Sequence, residues 1–353
     1  MPSRFGAARV IARRCTLEGF ARCSAFPMPR RSPKTKAVVN PTAGGGRAQA
    51  QWAALAETLE NEAGDALPDS VVHTASPRGA TRLTREALRQ GYDRILAVGG
   101  DGTLGEVVNG FWGKNGRLIN SDAVLVPIAC GTAGDFARST AAAEPAASPA
   151  ARAEALVTGH ARRIDAAKVT YTTPEGESQT RYFLNVASFG MGGAVVRRVH
   201  QSKLSTWMGG EIAFFCAIAQ VMFRYQYRPV ELRVDGETVG AWRVRSVAVA
   251  NGRYFGGGLE VAPRARLDDG LLDVTVLGDF SWLRFGSYMR RLYAGTPLLL
   301  PKAHAFRGRR IRVVPLSSPN ASSENGLLEA DGEAIGRLPA TFEVLPDVLR
   351  VQC

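Results

Sequence analysis

Arg94-Ile95-Leu96-Ala97-Val98-Gly99-Gly100-Asp101-Gly102-Thr103-Leu104-Gly105-Glu106-Val107-Val108 is the stretch that decides the fold. Its short apolar, β-branched run reads as a buried strand. The run stops at Gly-Gly-Asp-Gly-Thr, and helical spacing begins at once. Glycines at such a junction let the backbone approach a large anion closely and adopt positive φ. The helix that follows aims its first N–H groups at that anion. An aspartate among them is a poor partner for bare phosphate, so it implies a bridging cation or a polarised hydroxyl. The stretch predicts a phosphate-handling loop on a strand–helix unit.

The same unit repeats on either side. Ala37-Val38-Val39 reads as a strand leading into Asn40-Pro41-Thr42-Ala43-Gly44-Gly45-Gly46, and a helix follows with Trp52, Leu55 and Leu59 on one face. Val71-Val72 is the next strand, before a helix over 77–90. Ala123 to Ile128 is a fourth strand, ending in Ala129-Cys130-Gly131-Thr132-Ala133-Gly134-Asp135-Phe136-Ala137-Arg138. Strand–helix alternation with short connections predicts an open parallel α/β sheet. Three glycine loops at the carboxyl ends of parallel strands converge on one crevice, the usual ligand position in such sheets. Each loop alone also reads as an ordinary turn. Glu106, one turn into its helix, is placed to bond the loop or a nucleotide sugar, or simply to favour the helix N terminus.

From about Ile164 the pattern becomes short alternating runs separated by turn signals such as Asp235-Gly236 and Asp269-Gly270. That predicts an antiparallel β-sandwich. The expected division is a basic extension over 1–35, a nucleotide-binding α/β domain over 36–160, a β-sandwich substrate domain over 161–335, and a C-terminal segment over 336–353 that packs back on the first domain. Gly190-Met191-Gly192-Gly193-Ala194 imitates a dinucleotide fingerprint, but Val195 stands where its last small residue belongs, so it reads as a close-packing turn. Glu329-Ala330-Asp331-Gly332-Glu333 places Asp331 and Glu333 two apart. In a strand they share a face and can aim at one reacting group; otherwise they mark a polar hairpin tip. Arg266-Leu267-Asp268-Asp269-Gly270-Leu271 reads as a bare turn or as one whose oxygens hold a hard cation.

The chain has 353 residues, 45% apolar and 22% charged, ordinary values for a globular protein, but its net charge is +12. Nucleic acid and an anionic membrane face both suit a basic protein. No nucleic-acid recognition motif accompanies the arginines, so nucleic acid is set aside. The most apolar stretch, Met208 to Phe223, is too short to span a bilayer and carries Glu211. The five cysteines are scattered and odd in number, which suits reduced thiols in a cytoplasmic protein. Residues 1 to 36 hold nine Arg or Lys and one acid, and read as a disordered basic tail or as the product of an upstream start, with Met28 the first residue.

Taken in order, Asn-Pro-x-x-Gly-Gly-Gly, Gly-Gly-Asp-Gly-Thr-x-x-Glu-Val, Gly-Thr-x-x-Asp-Phe-Ala-Arg, Leu-Asp-Asp-Gly-Leu-Leu-Asp-Val and Asp-Gly-Glu resemble the blocks of the diacylglycerol kinase catalytic-domain family, specifically its bacterial lipid kinases related to sphingosine and ceramide kinases. The resemblance runs from about Lys36 to Leu345. It implies ATP and Mg²⁺, a lipid alcohol entering between the two domains, and a site at the inner membrane face. Asn40, Pro41, Thr42, Ala43, Gly44, Thr74, Gly99, Gly100, Asp101, Gly102, Thr103, Glu106, Gly131, Thr132 and Asp135 then surround the nucleotide. Asp101 orders the metal–phosphate network, and Asp331 and Glu333 supply the base and a metal-linked carboxylate, either order being open. Asp269 with the backbone oxygens of Arg266 and Leu271 matches the family's structural Mg²⁺ position. Gly105 and Gly134 depart from the family by standing where it commonly has asparagine, and Ala129 where it often has proline. The competing readings are a sphingoid or ceramide-type kinase and a catalytically weak nucleotide- or lipid-binding regulator. A homodimer is a further expected association.

Overall fold

The computed structural model describes residues 33–62, 67–76, 78–130, 134–140, 148–173, 175–195, 221, 228–278, 284–316 and 327–352. The expectations for residues 1–32, for Gly131 and Thr132, and for the 207–223 run apart from Val221 lie outside the described residues.

Strand β1 (Thr35–Val39) feeds helix α1 (Arg47–Glu62), β2 (Ser70–His73) feeds α2 (Gly79–Arg89), and β3 (Arg94–Gly99) feeds α3 (Asp101–Gly110). Strand β4 (Val124–Ala129) precedes α4 (Asp135–Thr140) and α5 (Pro149–Thr158). The strands pair in parallel in the order β2-β1-β3-β4, with Val38 beside Val72 and Ala97. A parallel sheet must be covered on both faces. Trp52, Leu55 and Leu59 of α1 cover one face, over Val39 and Val98. Leu88 of α2 with Val107 and Val108 of α3 cover the other, over Val38 and Ile95. Leu55 and Leu59 are fully buried, and each contributes about 2 kcal/mol through removal from water. Helix α5 begins at Pro149 because Ser148 Oγ accepts the Ala151 N–H at 3.2 Å, and proline suits the first helical position.

The second half is antiparallel, as expected. Its strands are β5 (Ala161–Thr172), β6 (Ser178–Phe183), β7 (Val186–Gly190), β8 (Arg228–Val234), β9 (Glu237–Ala250), β10 (Tyr254–Phe255), β11 (Leu259–Glu260), β12 (Leu272–Gly278), β13 (Ala303–Gly308), β14 (Arg310–Pro315), β15 (Leu327–Ala330) and β16 (Glu333–Gln352). Strands β9-β7-β15-β16-β14-β8 hydrogen-bond in a ring that returns to β9. The ring encloses Phe183, Phe189, Val249, Ile311, Leu328 and Phe342. Register shifts at Leu232/Arg233 and Leu328/Glu329 bend the long strands around its corners. Helix α6 (Phe285–Tyr293) lies outside, packed through Tyr288, Met289 and Leu292. Strand β16 then leaves the sandwich, and its Arg350 and Val351 pair in parallel with Val124 and Leu125 of β4. One hydrogen-bonded network therefore joins both halves.

Candidate active site

Asn40, Thr74 and the Gly99–Gly100 pair stand at the carboxyl ends of β1, β2 and β3. Asn40 Nδ2 donates to Thr103 Oγ1 at 2.9 Å, while its Oδ1 accepts the Thr42 N–H at 3.1 Å and hydroxyl at 2.9 Å. This side chain ties the first glycine loop to the first turn of α3. Gly44, Gly45 and Gly46 follow Pro41, Thr42 and Ala43 at φ of 61°, 71° and 92°, a run that favours glycine. Thr74 N–H donates to Val39 O at 2.9 Å.

At the head of α3, a Cβ on Gly99 would collide with Thr103, so glycine there lets Thr103 fold back onto Asn40. Gly100 caps the helix with its backbone alone. The N–H groups of Asp101, Gly102 and Thr103 find no acceptor among the described residues, and Gly102 faces open space. Three open donors at a ten-residue helix's positive end suit an anionic group.

The acids of this region hold neighbouring helices. Asp101 Oδ2 accepts the Asp135 N–H and its Oδ1 the Phe136 N–H, each at 3.2 Å, at the head of α4. Glu106 accepts the Arg78 N–H at 2.8 Å and the Ala80 N–H at 3.0 Å, at the head of α2. Asp135 is buried, accepts the Gly257 and Gly258 N–H groups at 2.8 and 2.7 Å, and pairs with Arg138 at 3.1 Å. Burial, then the Asp101 charge, push its carboxyl up to about 6 against those amides.

Asp331 and Glu333 do not share a strand face. Asp331 and Gly332 form the turn between β15 and β16, at φ of 46° and 81°, and Glu333 is the first residue of β16. Asp331 Oδ2 accepts the Leu184 N–H at 2.9 Å, and its Oδ1 accepts those of Asn185 and Val186 at 3.0 and 3.2 Å. Three such bonds alone would hold a carboxyl low. Burial outweighs them and, with the Asp101 charge, pushes it up to about 7. A Cβ on Gly105 would lie 3.2 Å from Asp331 Cβ. The helix carrying the open amides therefore abuts the turn carrying this acid, and glycine at 105 makes the approach possible. Gly134, the second departure, has φ of 62°, a conformation that asparagine also tolerates. Glu333 is ion-paired with Arg181 of β6; burial raises its carboxyl and Arg181 opposes the rise.

The turn at 266–271 is held by its own side chains and by neighbouring ones. Asp269 Oδ1 accepts the Leu271 N–H at 3.1 Å, and its other oxygen is ion-paired with Arg307. Arg266 pairs with Asp268 at 3.2 Å, and Asp165 accepts the Gly270 N–H at 2.7 Å. The Asp269 carboxylate shares the single Arg307 guanidinium with Asp273, which Arg307 Nε reaches at 3.1 Å. Among the described residues no three His, Cys, Asp or Glu side chains cluster as a metal site.

Two features escaped the sequence reading. Gly256, Gly257 and Gly258 lie at φ of 63°, 87° and 100° and bring β-domain amides onto Asp135; the triple glycine is itself a visible signal. Glu329, one residue pair before the turn, is fully buried opposite Ser188. Its Oε2 accepts the Gly332 N–H at 3.1 Å. Its Oε1 and the Ser188 hydroxyl find no partner of good geometry among the described residues, yet Ser188 lies close enough to favour the charged carboxyl. Burial pushes its carboxyl up to about 7.

Residues 34–169 match the diacylglycerol kinase catalytic domain, and residues 185–353 match the YegS C-terminal NAD kinase beta sandwich-like domain. The chain belongs to the diacylglycerol kinase catalytic-domain family. Within it, the chain is 32% identical over 278 residues to the "Probable lipid kinase YegS-like" of Stenotrophomonas maltophilia, covering 77% of this chain and 82% of that relative. It is 28% identical over 312 residues to the "Diacylglycerol kinase" of Bacillus subtilis, covering 88% and 92%. The match to a "Probable lipid kinase YegS-like" of Pseudomonas fluorescens, 36% identical, spans 59% of that relative's length. A crystal structure of a diacylglycerol kinase from Bacillus anthracis shares the fold, with a TM-score of 0.61 at 21% identity over 90% of this chain and 96% of that one.

Proposed function

We propose that this protein is an ATP-dependent kinase that phosphorylates the hydroxyl of a diacylglycerol-like lipid to a phosphatidic-acid-like product. The observation that carries the reading is the contact between Gly105 and Asp331, which sets a carboxylate beside a helix end with open amides. Phosphoryl transfer depends on positioning and charge neutralisation more than on covalent chemistry. The Gly44 and Gly45 N–H groups and the first turn of α3 offer backbone donors to the phosphates. A lipid hydroxyl is a weak nucleophile, and a carboxylate near neutrality is well matched to take its proton during attack. Burial raises Asp331 to about 7, and it lies against α3 at Gly105, which supports giving it this role. Among the described residues Asp101 accepts only two long bonds, which fits a metal-bound nucleotide; Mg²⁺ there would spread the charge of the phosphates. Arg181 neutralises Glu333 in the same region.

The test is transfer from radiolabelled ATP to diacylglycerol, a sphingoid base and ceramide in mixed micelles. Label on diacylglycerol that is lost in Asp331→Asn and Asp101→Asn, with both variants folded, is the expected result. Label on a sphingoid base alone would move the substrate class. Nucleotide binding without transfer to any lipid alcohol would overturn the kinase reading.

A further inference from the structure

The chain between α6 and β13 carries an exposed apolar tip that the transfer chemistry does not use. After α6 the backbone folds back on the helix: Thr296 N–H donates to Arg291 O at 2.9 Å, Leu300 N–H to Pro297 O at 3.0 Å, and the Tyr288 hydroxyl to Pro301 O at 3.1 Å. Pro297 and Leu300 point inwards, Leu300 joining Tyr288, Met289 and Leu292 in a core cluster. Leu298 and Leu299, the two residues between those anchors, are 38% and 66% exposed, and Tyr293 at the end of α6 is 54% exposed. The tip is thus an ordered 3₁₀ turn (Pro297–Leu299) whose neighbours do the packing while it presents apolar side chains outwards.

Charge surrounds this tip with one sign. Arg290 and Lys302 are exposed beside it, and neither forms a salt bridge among the described residues. The sequence from Arg284 to Gly308 contains no Asp or Glu. The acid that reaches the tip from the neighbouring element, Glu260 of β11, is ion-paired with Arg253. The location is equally specific. A side chain on Gly258 would meet both Tyr293 and Arg138, and the Gly257 and Gly258 amides bind Asp135 at the head of α4. One glycine turn separates the apolar tip from the phosphate loops.

We propose that Tyr293, Leu298 and Leu299, flanked by Arg290 and Lys302, form the surface by which this protein docks on an anionic lipid bilayer. A few apolar and aromatic side chains with adjoining cations are what interfacial insertion needs. A stable protein partner would need a far larger patch, about 800 Å² per side. The purpose of docking rests on the lipid-kinase reading: a tip inserted beside Gly258 holds the cleft against the headgroups from which a lipid alcohol is drawn. The attraction itself does not rest on it.

The experiment is co-sedimentation of the full chain with vesicles of phosphatidylcholine, with and without about a third of phosphatidylglycerol. Leu298→Ser/Leu299→Ser leaves the anchors Pro297 and Leu300 in place, and Arg290→Ala/Lys302→Ala removes the flanking charge. Each basic group adds roughly fivefold to partition onto an anionic surface, so the charge variant is expected to bind on the order of 20-fold more weakly. The leucine variant is expected to lose at least tenfold at every salt concentration. Arg89→Ala/Lys114→Ala, an equal charge change on exposed residues elsewhere, controls for net charge and should bind like the unaltered protein. Equal binding by all variants, or equal loss in the control, overturns the proposal. Phosphorylation of a short-chain, monomeric diacylglycerol separates the two readings. It should be unchanged in the tip variants, whereas its absence in every protein, with vesicle binding still dependent on the tip, defeats the kinase reading alone.

Discussion

Two Asp-Gly pairs close β-hairpins in this molecule with nearly the same backbone. Asp235-Gly236 joins β8 to β9 at φ of 52° and 96°, and Asp331-Gly332 joins β15 to β16 at 46° and 81°. Both are the two-residue turns that Asp-Gly favours. In both, the aspartate accepts backbone N–H groups from another segment: Arg309 and Arg310 for Asp235, at 2.9 and 2.8 Å, and residues 184–186 for Asp331. The difference is what lies above the turn. Asp235 is exposed at the rim, whereas Asp331 meets α3 at Gly105 and shares its surroundings with Asp101 and the buried Glu329. Local sequence chose the turn in each case; the parallel sheet, brought alongside through β16, sets only one of them against the helix with the open amides.

The sharpest way to break that comparison is one amide substitution at each turn. Asn tolerates the left-handed φ and keeps an acceptor oxygen. Asp331→Asn keeps the bonds from Asn185 and Val186 and gives up that from Leu184, so it should fold with a lowered Tm while lipid phosphorylation falls by about 10²- to 10⁴-fold, the span of general-base assistance. Asp235→Asn should leave the rate within twofold. Comparable rates in the two variants would reduce Asp331-Gly332 to another hairpin tip.

A smaller effect is expected from the helix side. Gly105→Ala places a methyl 3.2 Å from Asp331 Cβ, a crowded distance that must be relieved by moving the turn. Alanine in a helix interior stabilises by roughly 0.5–1 kcal/mol over glycine. Kinetics and thermal unfolding should therefore part company, with kcat down about tenfold and Tm not lowered. A variant with unchanged kcat would show that the approach of α3 to the turn does not matter.

The parallel sheet was legible because it depends on short-range patterns. Apolar runs ending in glycine clusters located β1, β3 and β4, and Trp52, Leu55 and Leu59 marked the buried face of α1. The shared-face argument for Asp331 and Glu333 did not hold, because positive φ at Asp331 and Gly332 turns the chain between them. Nor did spacing reveal what Asp101 and Glu106 touch, since their partners lie 34 and 35, and 28 and 26, residues away along the chain. Arg307 was out of reach for the same reason, 38 residues from Asp269. Glu329 was hidden differently. All four residues of β15 are buried, so its strand shows no polar face to read. The helical turn at 191–195 covers that face, and Gly192 and Gly193 are there because any side chain would strike Ser188 or Leu327.

The pH dependence refines the comparison further. If Asp331 takes the proton, kcat/KM should rise with pH and level off above about 7, the value to which burial raises its carboxyl. Asp235→Asn should not move the profile. The like charge that raises the Asp331 carboxyl is that of Asp101, whereas Asp331 in turn raises Glu329, so Glu329→Gln should leave the rise in place. A rise that moves in Glu329→Gln would instead couple the buried acid to the proton acceptor of the turn.

The smallest expected effect is on stability, and its sign follows from Glu329 itself. Its folded-state pKa is raised from 4.5 to about 7, so the folded protein binds its proton more tightly than the unfolded chain does. The stability linked to that proton is complete below the ordinary value of 4.5, declines as pH rises, and is gone above about 7. Gln at 329 stays neutral throughout, retains an oxygen for the Gly332 N–H, and gains an NH₂ beside the Ser188 hydroxyl. Relative to the unaltered protein, Glu329→Gln should be nearly neutral at pH 5 and more stable at pH 8, by on the order of 1–3 kcal/mol. Thermal unfolding at the two pH values reads this directly. An equal Tm difference at both would mean that Glu329 binds its proton equally well in the folded and unfolded chain, and that its burial leaves no mark on the electrostatics of the turn.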